Sequence, residues 1–378
     1  MAVQQLASLS RLHTLVLDGC TAVRRSGLQQ LAALPSLTAL SLAGCAQLTV
    51  DDLPVLAELP VLRSLTLDVC AGLTGAPLTA LAACTALRSL SLAVAPWLTD
   101  EHASSLRALS MLETLDVSYC KELSATAYVA SVGQLRALTA LVTASVTHFD
   151  DACLSAVASL SRLTRLDMAN AERVSSVAVR AHVGRLTALR SLSLARCGAV
   201  DDSALVAMQP LVHLTALNLE GCLLVGEEAV RVVAAACDKL QRLNLRHCVR
   251  VSDHALQLLA TLPPHTLLWL DLSGCHAVTA QGVSYLASHV HLRHLALANA
   301  QSVRNNALVY VAKLRELRHL DLRGLALSDD YVAALAALSA LRRLWLSNNC
   351  ALTDRGLDTL PCTPLTALPL PLPLVVPG

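Results

Sequence analysis

Three short stretches of the chain carry side chains of the types that do catalytic or metal chemistry. Ser252-Asp253-His254 holds the nucleophile, acid and base of a hydrolytic relay. Consecutive residues at a helix start cannot adopt the geometry in which one of these groups passes a proton to the next. His247-Cys248 and Cys275-His276 each set a thiol beside an imidazole. Both cysteines, however, fall at a position that the pattern below assigns to the interior, where a thiolate is disfavoured. His294 and His319 share one place in successive repeats, with Asp321 close by, so a metal is conceivable. Neutral histidines on an open face account for the same residues, and no metal is expected. No G-x-S-x-G, H-E-x-x-H, G-x-x-x-x-G-K-[ST] or G-x-G-x-x-G occurs, so neither a catalytic role nor a cofactor is expected.

All these residues are placed by one recurring string, L-x-x-L-x-L-x-x-C-x-x-(L/V). It begins at Leu12, Leu37, Leu62, Leu112, Leu189, Leu214, Leu240 and Leu267, and looser copies begin at Leu87, Leu138, Leu163, Leu292, Leu317 and Leu341. That makes about fourteen repeats of 24–27 residues, with a degenerate fifteenth at Leu365. In x-L-x-L-x the leucines alternate with small or polar residues, the period of a half-buried strand. Leu40 and Leu42 are expected inside, Ser41 and Ala43 outside. A second apolar set follows at i, i+3, i+6, as in Leu28, Leu31, Leu34 and Leu256, Leu259, Leu262, which fits a short helix. The join carries Ser or Thr and an acid (Leu98-Thr99-Asp100, Val251-Ser252-Asp253, Leu352-Thr353-Asp354), the residues that satisfy free N–H groups at a helix start. One such unit cannot bury its own leucines, so successive units must stack. The expectation is one elongated domain over residues 1–378, strands in a parallel ladder on a concave face and helices on the convex one.

The string resembles the leucine-rich repeat, in the cysteine-containing form best known from the substrate-recognition arrays of F-box ubiquitin-ligase subunits. The resemblance runs from about Leu6 to Leu370. It implies an α/β leucine-rich-repeat solenoid, a curved horseshoe whose concave face binds another protein. It also raises the reading of a substrate-recognition component of a ubiquitin ligase. An F-box would need some 40–50 residues ahead of the repeats, and here Leu6-Ala-Ser-Leu9 already matches Leu31-Ala-Ala-Leu34, so no F-box is expected.

Eight cysteines share one slot: Cys20, Cys45, Cys70, Cys120, Cys197, Cys222, Cys248 and Cys275. Elsewhere the slot holds Ala95, Val146, Ala171, Ala300, Leu325 or Asn349. Such a mixture describes a small buried site in which reduced Cys acts as a hydrophobe. No C-x-x-C occurs, and the spacing is that of the repeat rather than of a disulfide or zinc framework. Reduced thiols fit a cytoplasmic, or alternatively nuclear, home. Phe149 is expected to replace the usual core Leu or Val, and His289 to lie buried against the next repeat.

Outward strand positions have no core duty and are free to meet a ligand. They are small in the early repeats (Ala39, Ser41, Ser64, Thr66) and mixed in the middle ones (Asp116, Tyr119, Arg165, Asp167). From the tenth repeat they are large: Arg242, Asn244, Arg246; Trp269, Asp271; His294; His319, Asp321, Arg323; Arg343, Trp345. Trp and Arg are the residues most enriched among interface anchors, so a protein ligand is expected there. The competing reading is that Arg and Asp on adjacent rungs simply pair and keep the surface solvated.

Composition excludes other classes. Lys+Arg 29 against Asp+Glu 28 leaves a net charge of +1, without the basic excess expected of a nucleic-acid binder. Apolar runs are broken well before the length a membrane span requires, so no membrane partner is expected either. At the C-terminus (362–378) the alternation Leu368-Pro-Leu-Pro-Leu-Pro-Leu374 can terminate the ladder, since proline lacks the N–H of a further strand. The N-terminal 1–11 make only a partial repeat, so that edge is expected to be covered by another protein or by further sequence.

Overall fold

A computed structural model describes residues 9–59, 61–74 and 77–360. Most of the partial N-terminal repeat and the whole Pro-Leu segment lie outside these. The chain divides into two compact units, Met1–Leu224 and Val225–Gly378.

In the first unit the described strands are β1 (Thr14–Val16), β2 (Ala39–Ser41), β3 (Ser64–Thr66), β4 (Ser89–Ser91), β5 (Thr114–Asp116), β6 (Ala140–Val142), β7 (Arg165–Asp167), β8 (Ser191–Ser193) and β9 (Ala216–Asn218). Each pairs in parallel with the next, leucine opposite leucine: Leu15, Leu40, Leu65, Leu90, Leu115. The second unit repeats the scheme with β10 (Arg242–Asn244), β11 (Trp269–Asp271), β12 (His294–Ala296), β13 (His319–Asp321) and β14 (Arg343–Trp345). The expected alternation holds: Leu40 and Leu42 are buried, whereas Ser41 and Ala43 are half-exposed. The helix-face leucines Leu28, Leu31, Leu34, Leu256, Leu259 and Leu262 are buried as well. Leu15 and Leu344, on the end strands of the described array, are only half-buried, while the central leucines between them are buried. A strand leucine stays dry because rungs on both sides cover it, which stabilises by about 1.5–3 kcal/mol per side chain.

The return segments are less regular than the apolar spacing suggests. Arg25–Leu31 and Asp253–Leu259 are α-helices, but Val50–Glu58 and Asp202–Met208 are 3-10 helices throughout. Pro54, inside the first of these, cannot donate a helical hydrogen bond, and the tighter coil tolerates short runs only.

The acids at the first helical positions bond the next repeat rather than their own helix. Asp253 Oδ1 accepts from Thr279 N at 2.7 Å and Oδ2 from Thr279 Oγ1 at 2.6 Å, one repeat further on. Asp151 grips Ser175 in the same way (2.7 and 2.7 Å), Asp329 grips Thr353 (2.8 and 2.5 Å), and Asp100 holds Ser124. Of the three joins read in the sequence, only Ser252 caps its own helix through its side chain; Thr99 and Thr353 do not. Gly282 makes room for the Asp253 clamp: a Cβ there would stand 2.3 Å from Asp253 Oδ1. Hydrogen bonds to a charged group contribute about 1.5–3 kcal/mol. Asp253→Ala is therefore expected to lower stability by about 2 kcal/mol, read from the denaturant midpoint. A shift equivalent to under about 0.5 kcal/mol would leave the clamp without energetic weight.

The cysteine slot is buried as expected at Cys45, Cys70, Cys120, Cys197, Cys222, Cys248 and Cys275, but Cys20 is exposed. Cys20 follows β1, the first described strand, and has no described rung before it to cover it. The buried slot is also not purely apolar. Cys45, Cys70, Cys120, Cys197, Cys222 and Cys275 donate their S–H to carbonyls of the preceding repeat (Leu17, Leu42, Leu92, Met168, Leu194, Leu245) at 3.0–3.3 Å. Asn349 does the same through Nδ2 to Leu322 O at 2.9 Å, and its Oδ1 accepts from Leu325 N and Leu327 N. Burial pushes the thiols of Cys70 and Cys222 up to about 11, and those of Cys120, Cys197 and Cys275 to about 12. They stay protonated and able to donate. Phe149 and His289 are buried as expected; His289 Nε2 bonds Leu259 O at 3.1 Å.

Candidate protein-binding face

The five strands of the second unit bring the outward residues into two columns. The parallel register sets Arg242, Trp269, His294, His319 and Arg343 side by side in the first, and Asn244, Asp271, Ala296, Asp321 and Trp345 in the second.

The first column is a row of rings. Arg242 Cζ lies 5.8 Å from the Trp269 ring centroid. Trp269 stacks on His294, centroids 4.9 Å apart and planes 15° from parallel. His294 meets His319 edge-to-face at 5.8 Å, and His319 meets Trp345 of the second column at 6.5 Å and 75°. Rungs spaced by the sheet at ~4.8 Å favour such contacts, because each ring reaches the next without bending its strand. The rings shield one another from water. Burial, reinforced by His319 and Arg242, pushes His294 down to about 4. Burial also lowers His319, with Arg343, Arg342 and Arg318 repelling a proton from the same imidazole. Both rings are thus neutral at pH 7.

The second column behaves differently from the expectation of a ligand-facing row. Asn244, Asp271 and Asp321 are buried, because each side chain turns down onto the loop that follows its strand. Asn244 Oδ1 accepts from Arg246 N at 3.0 Å, Asp271 Oδ1 from Ser273 N at 2.8 Å, and Asp321 Oδ1 from Arg323 N at 3.2 Å. Asp116, Asp167 and Asn218 make the same two-residue turn in the first unit. Burial raises the Asp271 carboxyl, against the Ser273 bonds and Arg246. Asp321 is also gripped by Arg323 through Nε at 2.9 Å and Nη2 at 2.6 Å, a pair within one repeat rather than between the adjacent rungs of the solvated-face reading. Arg323 is therefore held, whereas Trp345 remains half-exposed at the end of the column.

Three arginines absent from the sequence-based list belong to this face. Arg293, Arg318 and Arg342 stand immediately before β12, β13 and β14, and all three are exposed. The signal was present as Arg in the same slot of three successive repeats (Leu-Arg-His, Leu-Arg-His, Leu-Arg-Arg). Arg293 lies 3.7 Å from Glu316, whose other oxygen meets His291. Asn299 and Asn348, in the turns that follow β12 and β14, have positive φ (57° and 61°), a conformation Asn tolerates.

Among the described residues no cluster of three or more His, Cys, Asp or Glu could hold a metal ion. No helix among them is long and apolar enough to cross a membrane.

A family model described as leucine-rich repeat region matches residues 45–264, and a second, leucine rich repeat, matches 264–287. Solved structures share the architecture. The crystal structure of the Rad7 and Elc1 complex in yeast matches with TM-score 0.62 at 18% identity, over 87% of this chain and 81% of that one. An internalin (inlF) of Listeria monocytogenes matches with TM-score 0.52 at 19% identity, over 94% and 86%.

Proposed function

The chain belongs to the leucine-rich repeat family, and on that premise we propose that it is a non-catalytic scaffold holding a protein ligand on the strand face of β10–β14. The observation that carries this reading is the continuous row Arg242–Trp269–His294–His319–Trp345. Aromatic and arginine side chains gathered at the centre of a patch are the composition of interface anchors, and the early rungs carry small residues at the same positions. The neutral imidazoles support it too, since their desolvation cost is met before a ligand arrives. The repeat phase runs through the boundary at Leu224–Val225 without a break, from Leu214 to Leu240, which supports a single domain. Free thiols at every described cysteine support an intracellular setting, cytoplasmic or nuclear.

The test is quantitative affinity purification of wild type against Trp269→Ala and Trp345→Ala. An anchor of this kind contributes about 2 kcal/mol or more, so recovery of a true ligand should fall about 30-fold. An interactor list that both variants leave unchanged, with their circular dichroism intact, removes the patch.

A second reading, a substrate-recognition component of a ubiquitin ligase, is favoured by cysteine in the slot of Cys45, Cys70, Cys120, Cys197, Cys222, Cys248 and Cys275. Ligase core subunits recovered in the same purification would select it; their absence from a set that responds to Trp269→Ala would leave the plain scaffold.

A further inference from the structure

Around the row of rings the charges do not balance. Arg293 is matched by Glu316, and Arg323 by Asp321. Arg242, Arg318, Arg342 and Arg343 have no carboxylate within ion-pair distance among the described residues, and Arg318 and Arg342 are exposed. The residues outside the described set (1–8, 60, 75–76, 361–378) contain no Asp or Glu in the sequence. No acidic side chain of this chain therefore serves these four guanidiniums. Three of them crowd His319, and the fourth lies against Trp269. Like charges gathered without counter-charge are costly to hold together, and an incoming anion relieves the cost.

We propose that the occupant of this face is an acidic, extended polypeptide segment whose carboxylates pair with Arg242, Arg318, Arg342 and Arg343 and whose apolar or aromatic side chain lies against the Trp269–His294–His319 row. This rests on the reading of the face as a protein-binding surface and narrows its partner. The register sets the length: Arg242 and Arg343 close the row four rung spacings apart, ~19 Å at ~4.8 Å per rung, which an extended segment covers in about six residues at ~3.3 Å each. Guanidinium favours carboxylate because its planar donors match two oxygens at once. A nucleic acid fits less well. Trp269 and His294 already use facing ring surfaces on each other, so they offer no free platform for successive bases.

The experiment uses the full chain and a fluorescein-labelled twelve-residue peptide alternating Glu and Phe, read by anisotropy. Three further probes are its Gln-for-Glu counterpart, a Lys-for-Glu counterpart and a labelled oligouridylate. The Glu peptide is expected to bind, and to weaken at least about fivefold as salt rises from about 50 to about 200 mM. Binding should fall at least about tenfold in Arg318→Gln/Arg342→Gln, whose exposed side chains leave the fold intact by circular dichroism. The Gln and Lys peptides should bind at least about tenfold more weakly. Equal binding of the Gln peptide, tighter binding of the oligouridylate, no binding of the Glu peptide up to about 1 mM, or an unaffected arginine double variant would each overturn the proposal. Cellular interactors that respond to Trp269→Ala but not to Arg318→Gln/Arg342→Gln would reject the acidic partner and keep the protein-binding face. Interactors indifferent to both would reject the face itself.

Discussion

Phe149→Ala is expected to loosen the repeats of β5 and β6 and to lower stability by about 3–5 kcal/mol. Phe149 is the one phenylalanine of the chain. It fills the position at which other repeats place Leu or Val, and it is fully buried. Its ring stands edge-on to Tyr128 of the preceding repeat, centroids 5.0 Å apart at 88°, and Tyr128 is fully buried too. Alanine would remove the ring from a joint between two repeats, and the rigid strands on either side cannot close over the space. Phe149→Leu restores the residue type that the repeat uses elsewhere and should cost less than about 1.5 kcal/mol. Denaturant midpoints give the size, and amide exchange in Thr114–Asp116 and Ala140–Val142 gives the place. A midpoint for Phe149→Ala equal to that of Phe149→Leu would show that the aromatic pair is not a core contact.

Acid should weaken the second unit through His294. The imidazole has an ordinary value of 6.5 and is pushed down to about 4 in the folded chain, first by burial and then by His319 and Arg242. The unfolded chain therefore binds the extra proton at a higher pH than the folded one. Stability is undiminished above pH 6.5, falls as the pH drops from 6.5 towards 4, and loses no more from this group below that. At 1.36 kcal/mol per unit the loss is about 3 kcal/mol. His319 is displaced in the same direction and adds to the decline. Asp271, raised by burial, works the other way, because its folded form gains a proton first. The clean measure is thus the difference between wild type and His294→Gln in the change of unfolding free energy from pH 7.5 to 4.5. The variant should lose less stability than wild type. Equal losses would mean that His294 is not shielded by Trp269 and His319.

The leucine period made the strands legible, since a residue that must be dry recurs every second position and its neighbours cannot be. It also located the ring row: Trp269, His294 and His319 stand in one column because they hold one place in successive repeats. The period does not say what an outward polar residue does next. Asn244, Asp271 and Asp321 satisfy it as well as Trp269 does, yet an N–H two residues ahead lies within reach and claims them. Arg318 and Arg342 escaped for the opposite reason, lying one residue outside the strand pattern although they flank the rings. The clamps were hidden by distance along the chain. Asp253 looked like the cap of its own helix, but its partner Thr279 is 26 residues away, at the next turn of the coil. An acid at the first helical position, with Ser or Thr one period later, was the readable sign.

The clamps have one gap that bears on the ring row. Asp253–Thr279 fastens the repeat of β10 to that of β11, Asn305–Ser328 fastens β12 to β13, and Asp329–Thr353 fastens β13 to β14. Between β11 and β12 the corresponding residue is Ala280, which has nothing to offer. On the opposite side of that joint stand Trp269 and His294, face to face. At this joint the helix side carries no carboxylate clamp, and the Trp269–His294 stack joins the two rungs on the strand side instead.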